Sequence, residues 1–335
     1  MTNLITAATP NFRPTDSLVV SLPQSAEAVE AELAARHRVF LAAATSDNTR
    51  RAYRAAIRHF LLWGGVLPAD ETVVIRYLLA YADRLNARTL SLRMTALSQW
   101  HRHQGFPDAA STPTVRKTLT GIARLHGKPK QKAKALSLEG LERIVTHLDS
   151  LPTLTARRDS ALLQLGFFGG YRRSELVNLQ VNDLAWEPEG LVITLARSKT
   201  DQLGEGVIKA IPFGEDRCCP VSALRDWLTQ AGITTGALFR PISKWQALGA
   251  GALHAGSVNT ILAQCATLAG VATGHELSSH SLRRGMATSA HRAGADFQDI
   301  KRQGGWRHDG TVQGYIEEAG RFEGNAAGAL LRKKR

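Results

Sequence analysis

Apolar residues recur at helical spacing along most of the chain. A helical pattern runs from about Ser25 to Ala44, after a proline-bearing segment, 1–24, that reads as a flexible tail. Ser46-Asp47-Asn48-Thr49 is a cluster of capping residues, and the helix beyond it, Arg50 to Trp63, sets Tyr53, Ile57, Phe60 and Leu61 on one face for burial. Two more helices follow. Asp70–Leu85 carries Val74, Tyr77, Leu78 and Tyr81 in a stripe, and Asn86–Gln104 carries Leu90, Met94, Leu97 and Trp100. Thr112-Pro113 opens a fifth helix, since proline suits the first helical position, and Gly127 closes it. These patterns predict an all-helical unit over 25–127. Residues 128–136, in which lysine alternates with small or polar residues, then predict a basic linker.

The pattern changes in the second unit, 137–335. Ser137–Leu148 and Arg157–Phe168 read as amphipathic helices, Gly190–Ala196 and Gly206–Pro212 alternate as strands, and Pro220–Ala231 and Gly256–Leu268 return to helical spacing. The expected fold class is mainly α with a small β-sheet.

Composition adds a partner. With 335 residues the chain has room for two cores, and a formal net charge of +13 with pI about 10.1 fits a polyanion. Nucleic acid comes first and an anionic membrane surface second. Arg51, Arg54 and Arg58 share a face of the second helix; with Arg50, Arg88 and Arg93 nearby, that face reads as a DNA surface rather than a merely solvated one. Lys128 and Lys130 extend it into the linker. Ser257 and Asn259 open their helix with short polar side chains; capping is the plainer role, reading base edges the sharper one. Three cysteines, two of them adjacent at 218 and 219, give neither a disulfide framework nor a zinc spacing. His275-Glu276…His280 misses the metalloprotease spacing by one residue. The N-terminus lacks a signal-peptide pattern, and the longest apolar run, near Ala161–Gly170, is too short to cross a bilayer. A soluble, cytoplasmic protein is expected.

The chemistry concentrates between His280 and Tyr315. A tyrosine hydroxyl, with an ordinary pKa of about 10, is a reluctant nucleophile. It becomes a useful one where cations and donors stabilise charge growing on phosphoryl oxygens. Arg283 offers a permanently charged fork that fits two phosphate oxygens. His280, one turn earlier, lies on the same helical face, and Trp306 can donate through its indole N–H.

The order His280-x-x-Arg283, Gly305-Trp306, Tyr315 resembles the signature of the tyrosine recombinases, or phage integrases. Tryptophan at 306 after a double glycine looks most like the Cre recombinase subgroup. Gly169-Gly170-Tyr171-Arg172-Arg173-Ser174-Glu175-Leu176 resembles the family's first arginine motif. There the catalytic arginine maps to Arg172 and its acidic partner to Glu175, at a spacing that shares a helical face. The family's general acid is a lysine on a β-hairpin, which maps to Lys199. The helical unit resembles the family's core-binding domain.

The resemblance implies a site-specific DNA recombinase, a C-shaped clamp on duplex DNA in which Tyr315 forms a 3′-phosphotyrosyl link. Bond energy is kept in that link, so no metal, ATP or other cofactor is implied. Arg172, Glu175, Lys199, His280, Arg283 and Trp306 complete the implied catalytic set. The implied partners are an inverted-repeat DNA site and, on two such sites, a homotetramer of chains that are monomers when free. The tail from Gly324 to Arg335, with its small apolar face, would then dock on the next protomer. The rivals are a type IB topoisomerase, which relaxes DNA without choosing sequence, and a catalytically silent DNA-binding protein.

Overall fold

Four of the first five helices open on a short polar residue whose side chain accepts from a backbone N–H of the first turn. This computed structural model describes residues 26–129, 133–195, 206–215, 218–273, 276–319 and 326–331, and the chain divides into two compact units, 1–130 and 131–335. The first holds α1 (Ala26–Ala43), α2 (Asp47–Leu62), α3 (Glu71–Ala80), α4 (Ala87–His103) and α5 (Pro113–His126). Ser46, Asp70, Asn86 and Thr112 are the caps of α2 to α5, each satisfying an otherwise orphaned donor.

Apolar spacing located most of the core of this unit, though Tyr53 and Trp100 are only half-buried and stand outside it. Phe60, Val74, Tyr77, Leu78, Leu90 and Leu97 are fully buried, and Phe60 meets Tyr77 edge-on at 5.1 Å between ring centroids. Leu61, expected to be buried, is 47% exposed. The face of α2 that meets α4 runs through Ala56 and Phe60, and the next residue lies about 100° further round the helix.

The basic face divides as well. Arg54, Arg58 and Arg88 are exposed, as is Lys128. Arg51 is exposed too and bonds Asn48 Oδ1 at 2.5 Å, while Arg50 is tied to the Thr45 carbonyl at 2.8 Å and to Asp47. Arg93 turns inward. Its guanidinium donates to Tyr77 Oη at 2.9 Å and to His59 Nδ1 at 2.8 Å. It is therefore a tie within the bundle and not part of an open basic face. Burial, and then the Arg93 charge, hold the His59 pKa below its usual value. Lys130 lies outside the described residues.

The second unit is built around one buried helix. Its helices are α6 (Leu138–Asp149), α7 (Leu154–Phe168), α8 (Arg173–Asn178), α9 (Pro220–Gln230), α10 (Ser257–Leu268), α11 (Ser279–Arg292), α12 (Phe297–Gly304), α13 (Asp309–Ala319) and α14 (Ala326–Leu331). Helix α7 starts three residues before the expected Arg157 because Thr153 caps it. From Ala156 to Phe167 every residue of α7 except Arg157 is buried, with α6, α9 and α11 packed on it.

A three-stranded antiparallel sheet, β1 (Leu184–Glu187), β2 (Gly190–Leu195) and β3 (Val207–Pro212), lies in the order β1-β2-β3. Strand β1 had no sequence expectation: at four half-exposed or exposed residues it shows no alternation to read. The second half of the expected linker is packed into this unit. Leu136 is buried and its N–H donates to the Ser281 carbonyl at 3.1 Å, while Lys134 pairs with Glu276 at 2.8 Å. No helix among the described residues is long and apolar enough to cross a membrane.

Replacing Phe60 by alanine removes a fully buried ring from the first unit. The expected loss is about 3–5 kcal/mol, read as a lower urea midpoint for the transition followed by Trp63 fluorescence, with the α7-centred unit unaffected.

Candidate active site

Helix α7 ends at a double glycine, and the first arginine follows after Tyr171. Gly170 adopts φ +55, a left-handed turn that glycine takes without strain, and this swings Arg172 to the N-cap of α8. Glu175 is the third residue of that helix. Its carboxylate accepts from the Arg172 backbone N–H at 2.9 Å and from Arg172 Nη1 at 2.6 Å. The expected pairing is present, but its geometry is that of a helix start rather than of two side chains along a helical face. With Glu175 buried and Arg172 partly covered, the guanidinium is held from two directions.

Arg283 arrives from α11. That helix begins at Ser279, whose N–H donates to Asn259 Oδ1 at 2.8 Å. Asn259 therefore caps a helix, though α11 rather than its own. Ser257, the first residue of α10, is half-buried and makes no side-chain cap bond. His280 is exposed on the first turn of α11, whereas Arg283 is only 3% exposed. Arg283 Nη1 donates to the Gly170 carbonyl, and its guanidinium carbon lies 4.7 Å from the Trp306 ring centroid.

The turn that carries Trp306 needs both of its glycines, for different reasons. Gly305 takes φ +65 at the end of α12, the left-handed position that closes many helices. Gly304 lies under the indole, where a Cβ would collide with the Trp306 ring. Trp306 then meets Tyr315 of α13 edge-on at 5.9 Å, and the Arg284 guanidinium lies 5.2 Å from the Tyr315 centroid. Tyr315 is half-buried. Tyr171, the other tyrosine beside a motif, is 1% exposed, and burial pushes its pKa far above 10, which removes it as a rival nucleophile.

Lys199 lies outside the described residues. A different lysine occupies the described site. Lys209, on β3, is 3% exposed, and its Nζ donates to the carbonyls of Gly169 at 2.6 Å and Gln303 at 2.5 Å. It also stands 4.6 Å from the Tyr171 ring centroid. The sequence carries a signal for this lysine. Val207, Lys209 and Ile211 share one face of the alternating strand, and a lysine on the apolar face of a strand marks a buried cation. Burial, and then the Arg283 and Arg172 charges, pull its pKa down to about 7, with Glu175 opposing. Burial and Arg172 likewise lower Arg283 to about 10, so it stays charged at neutral pH. The site thus gathers two arginines and a lysine against one carboxylate. Such an arrangement suits an anion whose charge grows during reaction.

Comparison with known proteins accords with this geometry. The model of the phage integrase family matches residues 134–321. A Selenomonas ruminantium protein, integrase/recombinase xerD homolog, is 37% identical over 297 residues, 86% of each chain. Tyrosine recombinase XerC of Xylella fastidiosa is 25% identical over 281 residues, 81% of this chain and 86% of that one. Among solved structures, a lambda integrase dimer bound to a COC′ core site aligns with TM-score 0.58 at 18% identity, over 88% of this chain and 78% of that one. XerH site-specific recombinase bound to its palindromic difH substrate aligns with TM-score 0.56 at 17% identity, over 77% and 71%. These two show the same fold. The chain belongs to the phage integrase family, the tyrosine-type site-specific recombinases.

The lowered Lys209 pKa has a stability consequence. Its folded value, about 7, lies below the ordinary 10.5, so between those values the unfolded chain holds more protons. Stability from this group therefore rises with pH across that window, by at most about 1.4 kcal/mol per pH unit. Urea denaturation at several pH values should show this slope in the native chain and lose it in Lys209→Met.

Proposed function

We propose that this chain cuts and rejoins DNA at a specific site through a 3′-phosphotyrosyl link to Tyr315. The observation that supports the reading is that Trp306 lies against both the Arg283 guanidinium and the Tyr315 ring, with Arg172 near enough to Arg283 for its charge to be felt there. In the reaction the Tyr315 oxygen bonds to phosphorus as the bond to the 5′ oxygen breaks. Arg172 and Arg283 offset the charge on the phosphoryl oxygens. Glu175 keeps Arg172 aimed, and Trp306 covers the Arg283 guanidinium. His280, at the exposed start of α11, donates to the phosphate or takes the tyrosine proton. Lys199 delivers a proton to the departing 5′ oxygen. A 5′ hydroxyl from a partner strand then reverses the step, and no metal or nucleotide is needed.

Because Arg283 is nearly covered in the free chain, the reading requires neighbouring side chains to move aside as DNA enters. The chain resembles relatives whose solved structures hold DNA, and its exposed Arg51, Arg54, Arg58 and Arg88 support a duplex partner. Gly304-Gly305-Trp306 favours a Cre-like subgroup. In α14, Leu330 and Leu331 are 87% and 82% exposed, an apolar end suited to docking on a neighbouring protomer. A tetramer on two inverted-repeat sites closes such head-to-tail contacts. A cytoplasmic location follows from that substrate.

Tyr315→Phe should abolish covalent trapping on nicked site DNA while half-site affinity stays within about twofold. Unchanged cleavage by the variant would move the nucleophile elsewhere; binding without a covalent complex in the native chain would leave a silent DNA-binding protein, and relaxation without sequence choice a topoisomerase.

Neutralising Arg51 and Arg54 together should weaken duplex binding. The slope of log affinity against log salt should flatten by about 1.8, near 0.9 for each phosphate no longer neutralised. An identical slope returns both arginines to a solvated surface.

A further inference from the structure

Two turns must be held in register for the site to work. One, Gly169-Gly170, leads into Arg172; the other, Gln303-Gly304-Gly305, leads into Trp306 and on to Tyr315. They come from distant parts of the chain and touch closely, since a Cβ built on Gly170 would stand 3.3 Å from Gly304 Cα. Neither turn belongs to a sheet, so no ladder of backbone hydrogen bonds joins them.

Side chains join them instead. Gln303 Nε2 donates to the Phe168 carbonyl at 3.0 Å. Lys209 bonds a carbonyl on each side, Gly169 and Gln303, from one nitrogen. Strand β3 presents it from midway along its ladder with β2, where Lys209 is paired in register with Ile193. The groups facing it are Arg172 and Glu175 at the start of α8, Arg283 of α11 and the Tyr171 ring. None is a carboxylate bonded to it, so the ammonium is retained without an ion-pair partner in hydrogen-bond contact among the described residues. A buried cation held only by carbonyls and a ring is costly for folding alone.

We infer that Lys209 is a positioning residue for strand cleavage, a buried ammonium that clamps the Arg172 turn to the Trp306 turn and so sets the first arginine against the Tyr315 segment. The inference rests on the recombinase reading. Two of the ammonium's three protons are committed to carbonyls, and the group is almost fully covered. Lys209 therefore does not itself reach a 5′ oxygen. Loosening the clamp misplaces the attacking and stabilising groups by fractions of an ångström, to which in-line transfer is sensitive.

The test compares the native chain with Lys209→Met and Lys209→Arg in single-turnover cleavage of half-site DNA. Affinity and circular dichroism are measured on the same samples. Substrates carry either the natural 5′ oxygen or a bridging 5′ sulfur, which leaves without needing a proton. Lys209→Met should bind within about twofold of the native chain and cleave at least tenfold slower on both substrates. Lys209→Arg, which keeps a cation able to bridge two carbonyls, should recover part of the rate. It also serves as the comparison if the methionine variant does not fold.

Rescue of Lys209→Met by the sulfur substrate would make Lys209 a proton donor and overturn the clamp. Native cleavage rates in Lys209→Met, or equal rates in the two folded variants, would also overturn it. If the native chain itself forms no covalent complex with either substrate, the recombinase reading fails, and this inference with it.

Discussion

Three carbonyls at the end of α7 and in the double glycine just beyond it turn toward donors from other parts of the second unit. A helix that ends in a buried site leaves acceptors at the negative end of its dipole, where cationic donors are favoured. Here Phe168, Gly169 and Gly170 receive Gln303, Lys209 and Arg283 respectively. These three donors come from α12, β3 and α11. One helix terminus therefore fixes three separate elements at one point, and that point is where the candidate site forms.

The two glycine pairs follow from the same constraint. The two turns approach closely, and a side chain at 170 would run into Met286 at 2.6 Å. Gly304 leaves space for the indole, and Gly305 turns the chain so that the indole can return over Arg283. Trp306 is then sandwiched between a guanidinium it covers and a tyrosine it abuts. Packing and charge are not separable here, since the ring that buries Arg283 also positions Tyr315.

Much of this was legible in the sequence where local chemistry decides the outcome. Ser46, Asn86 and Thr112-Pro113 mark helix starts because capping depends on nearby residues alone. His280, Arg283, Trp306 and Tyr315 were readable as an ordered set, as were Arg172 and Glu175. What escaped depends on long-range contact. Arg93 looked like one more surface arginine until His59 and Tyr77, from two other helices, claimed it. Asn259 caps a helix that begins 20 residues later. Lys209 sat within an expected strand, but only the partners of that strand, distant in sequence, reveal why a lysine belongs on its inner face.

The charge balance of the site gives the last step. Glu175 is spoken for by Arg172, so among the described residues the remaining positive charge on Lys209 and Arg283 has no carboxylate of its own. The downward pull on both pKa values expresses that imbalance: burial removes water, and the cations repel one another. An entering phosphodiester would reverse the second effect, favouring the charged form of each group as it binds. The free chain bears a cost that its fold alone does not require, because apolar residues of similar volume could fill the same space without desolvating charge. Cations that repel one another in a covered site favour an anion that offsets them, and the end of α7 helps to hold that cluster together.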